Sequence, residues 1–492
     1  MNNGPFGNFN PRRFGHPIID DLSKAKLVWI SEDHFGYGKG GASGYVAILI
    51  ERPTHPGSCS GPIIADDRVF VSSFRPSGPV WAENLPHLKN LKNPIEGERR
   101  KKLEQELRVA ADDLLIAIDQ RTGKTVWKAV EEGKGLNRYM GKRLGFGVAP
   151  AWFDGKVFSM GTTGRLYAYQ SRTGEKVWET DLGKTHRDME ARKQKCLASK
   201  NLLGYLGWDA SLVIAAEILI VPLFDGPSDT SLRGVDPNTG KTLWEVPAAN
   251  SLYATPAVFH HGKREYLVTA TSKGDLRMID PRSGKILWAV DKLPSNWASL
   301  TCSEGHVIVN IGSEKVGPTQ DRHYGRYGAY RISPEGAERA WEMPDKTENL
   351  FENWMDTCAH RAVVMRDGVI FMACRHDSID KQRRKRHLHV IQEKTGKVLH
   401  SEENEYEGTM MLLVEDRLIK WCDAAHHAAT GGSKMQMFSA DPTQFRTLGS
   451  VFTPPQAPST GYEVFMEYPY ADGCLFQRTE SGRLCCYDLR TR

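Results

Sequence analysis

The sequence predicts an all-β fold: an eight-bladed β-propeller of four-stranded antiparallel blades, closed by an N-terminal strand in the last blade. Three observations predict it. The first is a recurring phrase, "AIDQRTGKTVWKAV" at 117–130, "AYQSRTGEKVWETD" at 168–181, "GVDPNTGKTLWEVP" at 234–247 and "MIDPRSGKILWAVD" at 278–291. Weaker copies are "RISPEGAERAWEMP" at 331–344 and "VIQEKTGKVLHSEE" at 390–403. Each reads as strand, tight turn, strand: Gly supplies a positive φ at the turn, and Thr, Val and Trp suit a pleated surface. The second is spacing. Trp127, Trp178, Trp244, Trp288 and Trp341 recur at uneven steps of about 44–66 residues, which fits blades with insertions in their loops better than a solenoid of constant pitch. The third is that the two chain ends complement each other. Residues 461–490 supply only three strands, while "AKLVWIS" at 25–31 supplies a fourth with Trp29 in the expected place. Joining them leaves no exposed sheet edge.

The blades follow in order. The repeated phrase is the third strand, turn and outer strand of a blade, so an inner pair should precede it. Residues 147–180 show this, with turns at Asp154-Gly155 and Thr163-Gly164. The blades are 58–130, 145–181, 207–247, 252–291, 297–344, 354–403, 408–453 and 461–490 with 25–31, a single domain over 1–492. The segment 97–113, "GERRKKLEQELRVAADD", has a helical pattern and reads as a lid or packing excursion of blade 1.

Composition sets bounds. The chain has 492 residues, 40% hydrophobic and 25% charged, with a net charge of +5. That balance is too weak to argue for nucleic acid, and none is expected as a partner. No apolar run is long enough to span a membrane. Residues 1–20 lack the apolar core of a signal peptide. The nine cysteines are scattered without zinc spacing, which reads as buried free thiols, and no C-x-x-C-H haem motif occurs.

The copies from Asp119 to Trp127, Asp236 to Trp244 and Asp280 to Trp288 resemble the repeat of the pyrroloquinoline-quinone (PQQ) propeller superfamily, roughly Asp-x-x-Thr-Gly-x-x-x-Trp. The resemblance covers nearly the whole chain and implies the eight-bladed fold. It also implies an extracytoplasmic location, periplasmic or secreted. The opening "NGPFGNFNP" at 3–11 is similar to the start of secreted bacterial members, which carry a leader that this chain is expected to lack. The superfamily includes quinoprotein alcohol and sugar dehydrogenases, which hold PQQ beside calcium, and non-enzymatic propellers of outer-membrane assembly. In many of the dehydrogenases a disulfide between adjacent cysteines lies against the quinone. Here the adjacent pair is Cys485-Cys486, in a predicted strand whose consecutive residues face opposite sides. Asp209, Asn353 and Asp356 lie near strand starts, but no calcium set is assigned.

The candidate site follows from topology. Connections between blades, and between the second and third strands within a blade, emerge on one face around the channel mouth. The repeated Thr-Gly-Lys turns lie on the other face and are structural. Function in repeat folds sits on such loops. Three successive blades carry long ones: 312–328 with His323, Tyr324 and Arg326, 374–387 with Arg375 and His376, and 422–434 with Asp423, His426 and His427. Facing segments add His34, Tyr37, Arg138, Arg143, Trp208, Trp297 and Trp354. Aromatic rings stack on sugars, Arg forks bind carboxylate or sulfate, and His and Tyr carry protons. The set suits an anionic polysaccharide or oligosaccharide. His323, Tyr324, His376, His426 and His427 are the catalytic candidates for a lyase or glycosidase, and His34, Tyr37, Arg138, Arg143, Trp208, Trp297, Arg326, Trp354 and Arg375 the binding candidates. A PQQ- and calcium-dependent dehydrogenase and a non-catalytic assembly scaffold are the alternatives.

Overall fold

The computed structural model describes residues 11, 13–35, 58, 60–89, 91, 93–137, 147–201, 210–224, 229–251, 254–294, 299–315, 323–343, 351–352, 363–377, 384–403, 410–421, 434–454, 468–479 and 482–491. They form eight antiparallel sheets built on four-stranded meanders, here called A to D from the axis outward; the order is sequential in seven, the eighth takes its outer strand from the N-terminus, and the blade 5 sheet gains a fifth strand, Phe351–Glu352. Blade 1 is Ile63–Ala65, Arg68–Val80, Arg108–Asp119 and Thr125–Leu136, and blade 2 is Ala151–Phe153, Lys156–Met160, Arg165–Gln170 and Lys176–Asp181. Blade 3 is Val213–Ala215, Ile218–Leu223, Asp229–Val235 and Thr242–Ser251, and blade 4 is Ala257–His261, Arg264–Ala270, Leu276–Ile279 and Ile286–Val290. Blade 5 is Thr301–Cys302, His306–Lys315, His323–Ser333 and Gly336–Glu342, and blade 6 is Val363–Arg366, Val369–Asp377, Arg384–Gln392 and Val398–Glu403. Blade 7 is Met410–Val414, Arg417–Trp421, Met435–Ser439 and Thr447–Phe452. Blade 8 takes Tyr470–Ala471, Cys474–Arg478 and Leu484–Asp488 from the C-terminus and Lys26–Ile30 from the N-terminus.

The repeated phrase now has a physical reading. Its Asp caps the C–D turn: the Asp119 carboxylate accepts from the backbone N–H groups of Arg121 and Thr122 and from the Thr122 hydroxyl at 2.8–3.2 Å. Asp236 and Asp280 cap their turns similarly, each accepting from one backbone N–H, of Asn238 or Arg282, and one hydroxyl, of Thr239 or Ser283. Its Gly is a landing site. Gly123, Gly174, Gly240, Gly284 and Gly396 all have positive φ, and a Cβ on any of them would lie 2.5–2.8 Å from the Trp of the preceding blade. Its Trp reaches across the seam. Indole Nε1 donates to a turn carbonyl of the next blade from Trp29 to Gln120, Trp127 to Ser171, Trp178 to Pro237, Trp244 to Pro281, Trp288 to Ser333 and Trp341 to Glu393, at 2.6–3.0 Å.

The seam after blade 6 is built differently. His400 stands in the Trp position and its ring lies 5.1 Å from Phe445, which stacks on Phe438. After blade 7, Phe452 meets Tyr487 edge-on, and the 3₁₀ turn Leu22–Lys24 packs beside the outer strand. Near the axis, hydroxyls at the starts of the inner strands link neighbours. Ser211 accepts from the Ala149 N–H, Thr255 from Ser211, and Ser299 from Thr255.

Closure is antiparallel, with Lys26 opposite Asp488, Leu27 opposite Tyr487, Trp29 opposite Cys486 and Ile30 opposite Cys485. Arg13 pairs with Asp367, backbone N–H groups of Phe14 and Gly15 donate to Glu415, and His16 meets Asp472. The N-terminal segment thus runs across the A–B turns of blades 6, 7 and 8. Deleting residues 1–31 strips blade 8 of its outer strand and exposes an edge. The truncated protein should melt lower and aggregate in a thermal scan with light scattering; an unchanged melting temperature contradicts the closure.

Candidate functional site

The D–A and B–C connections open on the face opposite the Thr-Gly turns, so the mouth is bounded by the far ends of the B and C strands. In blades 5 and 6 these strands continue well into the segments expected as loops. His323 lies opposite Lys315, Tyr324 opposite Glu314 and Arg326 opposite Gly312, so the three belong to strand C of blade 5. Phe351–Glu352 adds to this hairpin through Gly325 and Tyr324. In blade 6, Arg375 lies opposite Arg386 and His376 opposite Lys385, with Asp377 opposite Arg384. The alternation of aromatic and long side chains in "HYGRYGAYRIS" and "RKRHLHVIQ" suits extended pairing.

His34 is exposed beside Asp33, which accepts from Thr125 and Lys128 at 2.6 and 2.7 Å. Tyr37, Arg138, Arg143, Trp208, Trp297, Trp354, His426 and His427 lie outside the described residues.

Helices cover the mouth side of blades 1 and 2. They are α1 (Pro86–Lys89), α2 (Gly97–Glu106) and α3 (Lys184–Ser199). The expected helix over 97–113 stops at Glu106, because Val109, Ala111, Leu115 and Ile116 are buried in a strand. The longer α3 falls where the sequence reads only as a connection. It packs Met189 and Cys196 against Leu103, Leu107 and Leu136. His186 Nδ1 is 2.8 Å from the Thr163 carbonyl, and Lys193 donates to the Gly133 carbonyl at 2.5 Å.

Beneath α3, between blades 1 and 2, lies a buried ionic cluster absent from the sequence expectations. Asp113 accepts from the Thr162 N–H and hydroxyl at 2.9 Å each and from Tyr167 at 3.3 Å. Glu131 accepts from Lys134 and Lys176 at 2.7 Å each and from Tyr169 at 2.9 Å. Glu179 joins both lysines and Arg165. The two ammonium groups lie 5.6 and 5.8 Å from the centre of the Tyr167 ring.

Complete burial pushes the Asp113 carboxyl above the ordinary range, against the pull of its three hydrogen bonds. Burial also opposes ionisation of Glu131, but the Lys134, Lys176 and Tyr169 donors outweigh it and hold its pKa low. Burial, then Asp113 and Glu131, keep Tyr167 protonated. The cluster joins blades and seats α3. "AADDLL" at 110–115, two carboxylates in an apolar strand, is the one sequence signal that could have found it.

Among the described residues, no group of His, Cys, Asp and Glu is arranged to hold a metal ion. Cys485 packs toward blade 7 with Leu475 and Tyr487, while Cys486 packs toward blade 1 with Phe476 and Trp29. Two buried thiols pointing to opposite sides of a strand do not fit a clamp on a quinone ring.

The sequence profile of the family described as outer membrane protein assembly factor BamB matches residues 109–204 and 228–418. Quinohemoprotein alcohol dehydrogenase of Comamonas testosteroni is 26% identical over 270 residues, a match that covers 46% of this chain and only 37% of that enzyme's length. Among solved structures, BamB from Moraxella catarrhalis superposes with a TM-score of 0.47 at 10% identity, covering 78% of this chain and 92% of that one. The Comamonas testosteroni dehydrogenase gives 0.41 at 12%, covering 99% and 80%.

Glu131 generates a prediction. A carboxyl with a lowered folded-state pKa contributes stability above its unfolded pKa, lost as pH falls through the folded value. Glu131→Gln should cost about 1.5–3 kcal/mol at neutral pH, the range for hydrogen bonds to charged groups. The difference from wild type should begin to shrink as pH falls below the ordinary carboxyl value of 4.5 and vanish only below the lowered folded value. Urea unfolding at several pH values checks this.

Proposed function

The chain belongs to the family described as outer membrane protein assembly factor BamB, and from that premise we propose that it is a non-catalytic, extracytoplasmic scaffold that docks an acidic segment of a partner protein at the loop-rich mouth. The observation that carries this reading is the register of the blade 6 hairpin, which places Arg375 opposite Arg386 and His376 opposite Lys385. Basic residues gathered in one hairpin suit an anionic partner. The neighbouring blade 5 hairpin carries His323, Tyr324 and Arg326, residue types enriched at interfaces.

The same hairpins offer the same chemistry to the carboxylates or sulfates of an acidic polysaccharide, with Arg375 and Arg326 as forks and Tyr324, His323 and His376 as proton carriers. This second reading rests on that residue set. The dehydrogenase reading rests on the partial match to the quinohemoprotein, and the cysteine geometry argues against it.

One experiment separates the three. Purified protein is titrated with a polyglutamate peptide and with uronic and sulfated polysaccharides at several salt concentrations, and assayed for dye reduction with PQQ, calcium and an alcohol. The scaffold reading expects salt-sensitive peptide binding that Arg375→Glu with Arg386→Glu weakens by about tenfold or more, equivalent to about 1.4 kcal/mol. Folding should be unchanged. Cleavage of a polysaccharide to unsaturated products establishes the second reading instead. Dye reduction dependent on PQQ establishes the third.

A further inference from the structure

Blade 8 holds three of the described cysteines, and two of them face each other. Cys474 opens strand B, directly after the Asp472-Gly473 turn, and lies opposite Asp488. Cys486 lies in strand C opposite Phe476. Positions 474 and 476 share one face of the sheet, as do 486 and 488, so Cys474 and Cys486 are diagonal neighbours across the B–C ladder. Both pack on the side that faces blade 1, with Trp29, Phe476 and Leu484. The two thiols lie close enough for each to shift the other's ionisation. Cys485, the third, is turned to the opposite seam.

We propose that Cys474 and Cys486 form a disulfide that ties strands B and C of the closing blade when a disulfide oxidant reaches Cys474.

The two cysteines differ in the ways the reaction needs. Cys474 is half-buried and so approachable, whereas Cys486 is buried. The neighbouring Cys486 thiol favours the Cys474 thiolate, and the guanidinium of Arg490 adds to this, against burial and the carboxylate of Asp488. The same closeness of the two thiols, with burial, keeps Cys486 protonated. Cys474 is therefore the attacking sulfur and Cys486 the resolving one.

The chemistry balances with a disulfide as co-reactant, small or carried by a protein. The Cys474 thiolate attacks one sulfur of that disulfide, forms a mixed disulfide and releases the first thiol. Cys486 then loses its proton, attacks Cys474 Sγ and expels the second thiol. Two protein thiols are oxidised and one external disulfide is reduced to two thiols. A diagonal pair closes into a disulfide only with a small backbone adjustment. Cys474 has room for one, as the first residue of its strand beside a two-residue turn of positive φ. The bond would lie directly under Trp29, whose backbone position pairs with Cys486 and whose ring lands on Gly123 of blade 1. It would fix the bed on which the ring of blades closes.

The test is oxidation of the full-length native protein by oxidised glutathione, read by intact mass and by tryptic mapping after alkylation. Wild type should lose two hydrogens, about 2 Da. The peptide ending at Arg478 should become linked to the peptide 484–490, since trypsin cuts after Arg478 and Arg483. Cys485→Ser should still form the link. Cys486→Ser should instead stop at a glutathione adduct on Cys474, and Cys474→Ser should give neither link nor adduct in this blade. The proposal is overturned if these two peptides stay unlinked in the wild type, or if Cys485→Ser abolishes the link.

Discussion

An indole laid on a glycine is the contact on which this fold depends. A propeller blade is a twisted sheet with one apolar face on each side, and it has no stability until both are covered. Here the covering is indexed. Trp29, Trp127, Trp178, Trp244 and Trp341 each land on the positive-φ Gly of the next C–D turn, where no side chain beyond hydrogen fits, and the Nε1 of each takes a carbonyl of the same turn. The hydrogen bond sets the register between blades, while burial of the large ring supplies most of the stabilisation. The Asp that caps the turn presents that Gly in the required conformation. One short phrase therefore solves turn, landing site and seam together, and recurs for that reason.

Because the seams are held on the turn face, the opposite face is free to vary. Insertions there differ between blades: helices and a buried ionic cluster over blades 1 and 2, and long hairpins on blades 5 and 6. The proposed docking function draws on the hairpins, where basic residues share neighbouring register positions. The cluster around Asp113 and Glu131 draws on the same freedom for a structural end, seating α3 across a seam.

Repetition made the architecture legible. Strand, turn and Trp recur with enough fidelity that the eight blades and the closing strand around Trp29 follow from the sequence alone. What was not legible lies where the repeat is silent. The α3 helix has few apolar residues on its buried side, Met189 and Cys196 among charged neighbours, so no strong period announces it. The blade 5 and blade 6 segments read as loops because His, Arg, Tyr and Gly there interrupt the apolar alternation that marks a strand. The carboxylates of Glu131 and Glu179 look like ordinary surface charges until the lysines of two adjacent blades converge on them. At the mouth the ligand is not legible, because the side-chain types of His323, Tyr324, Arg326, Arg375 and His376 suit a protein or a sugar acid alike.

A double-mutant cycle at one seam tests the central claim most directly. Gly174→Ala is made alone, with Trp127→Ala, and in combination, and the three are compared with wild type by urea unfolding. If the indole occupies the space above Gly174, where a Cβ would lie 2.6 Å from the ring, the alanine should cost far less once the Trp is gone. The coupling should reach about 1 kcal/mol or more, within the range for residues in direct contact. Additive costs would mean that Trp and Gly contribute independently, and would contradict the account of how the blades are joined.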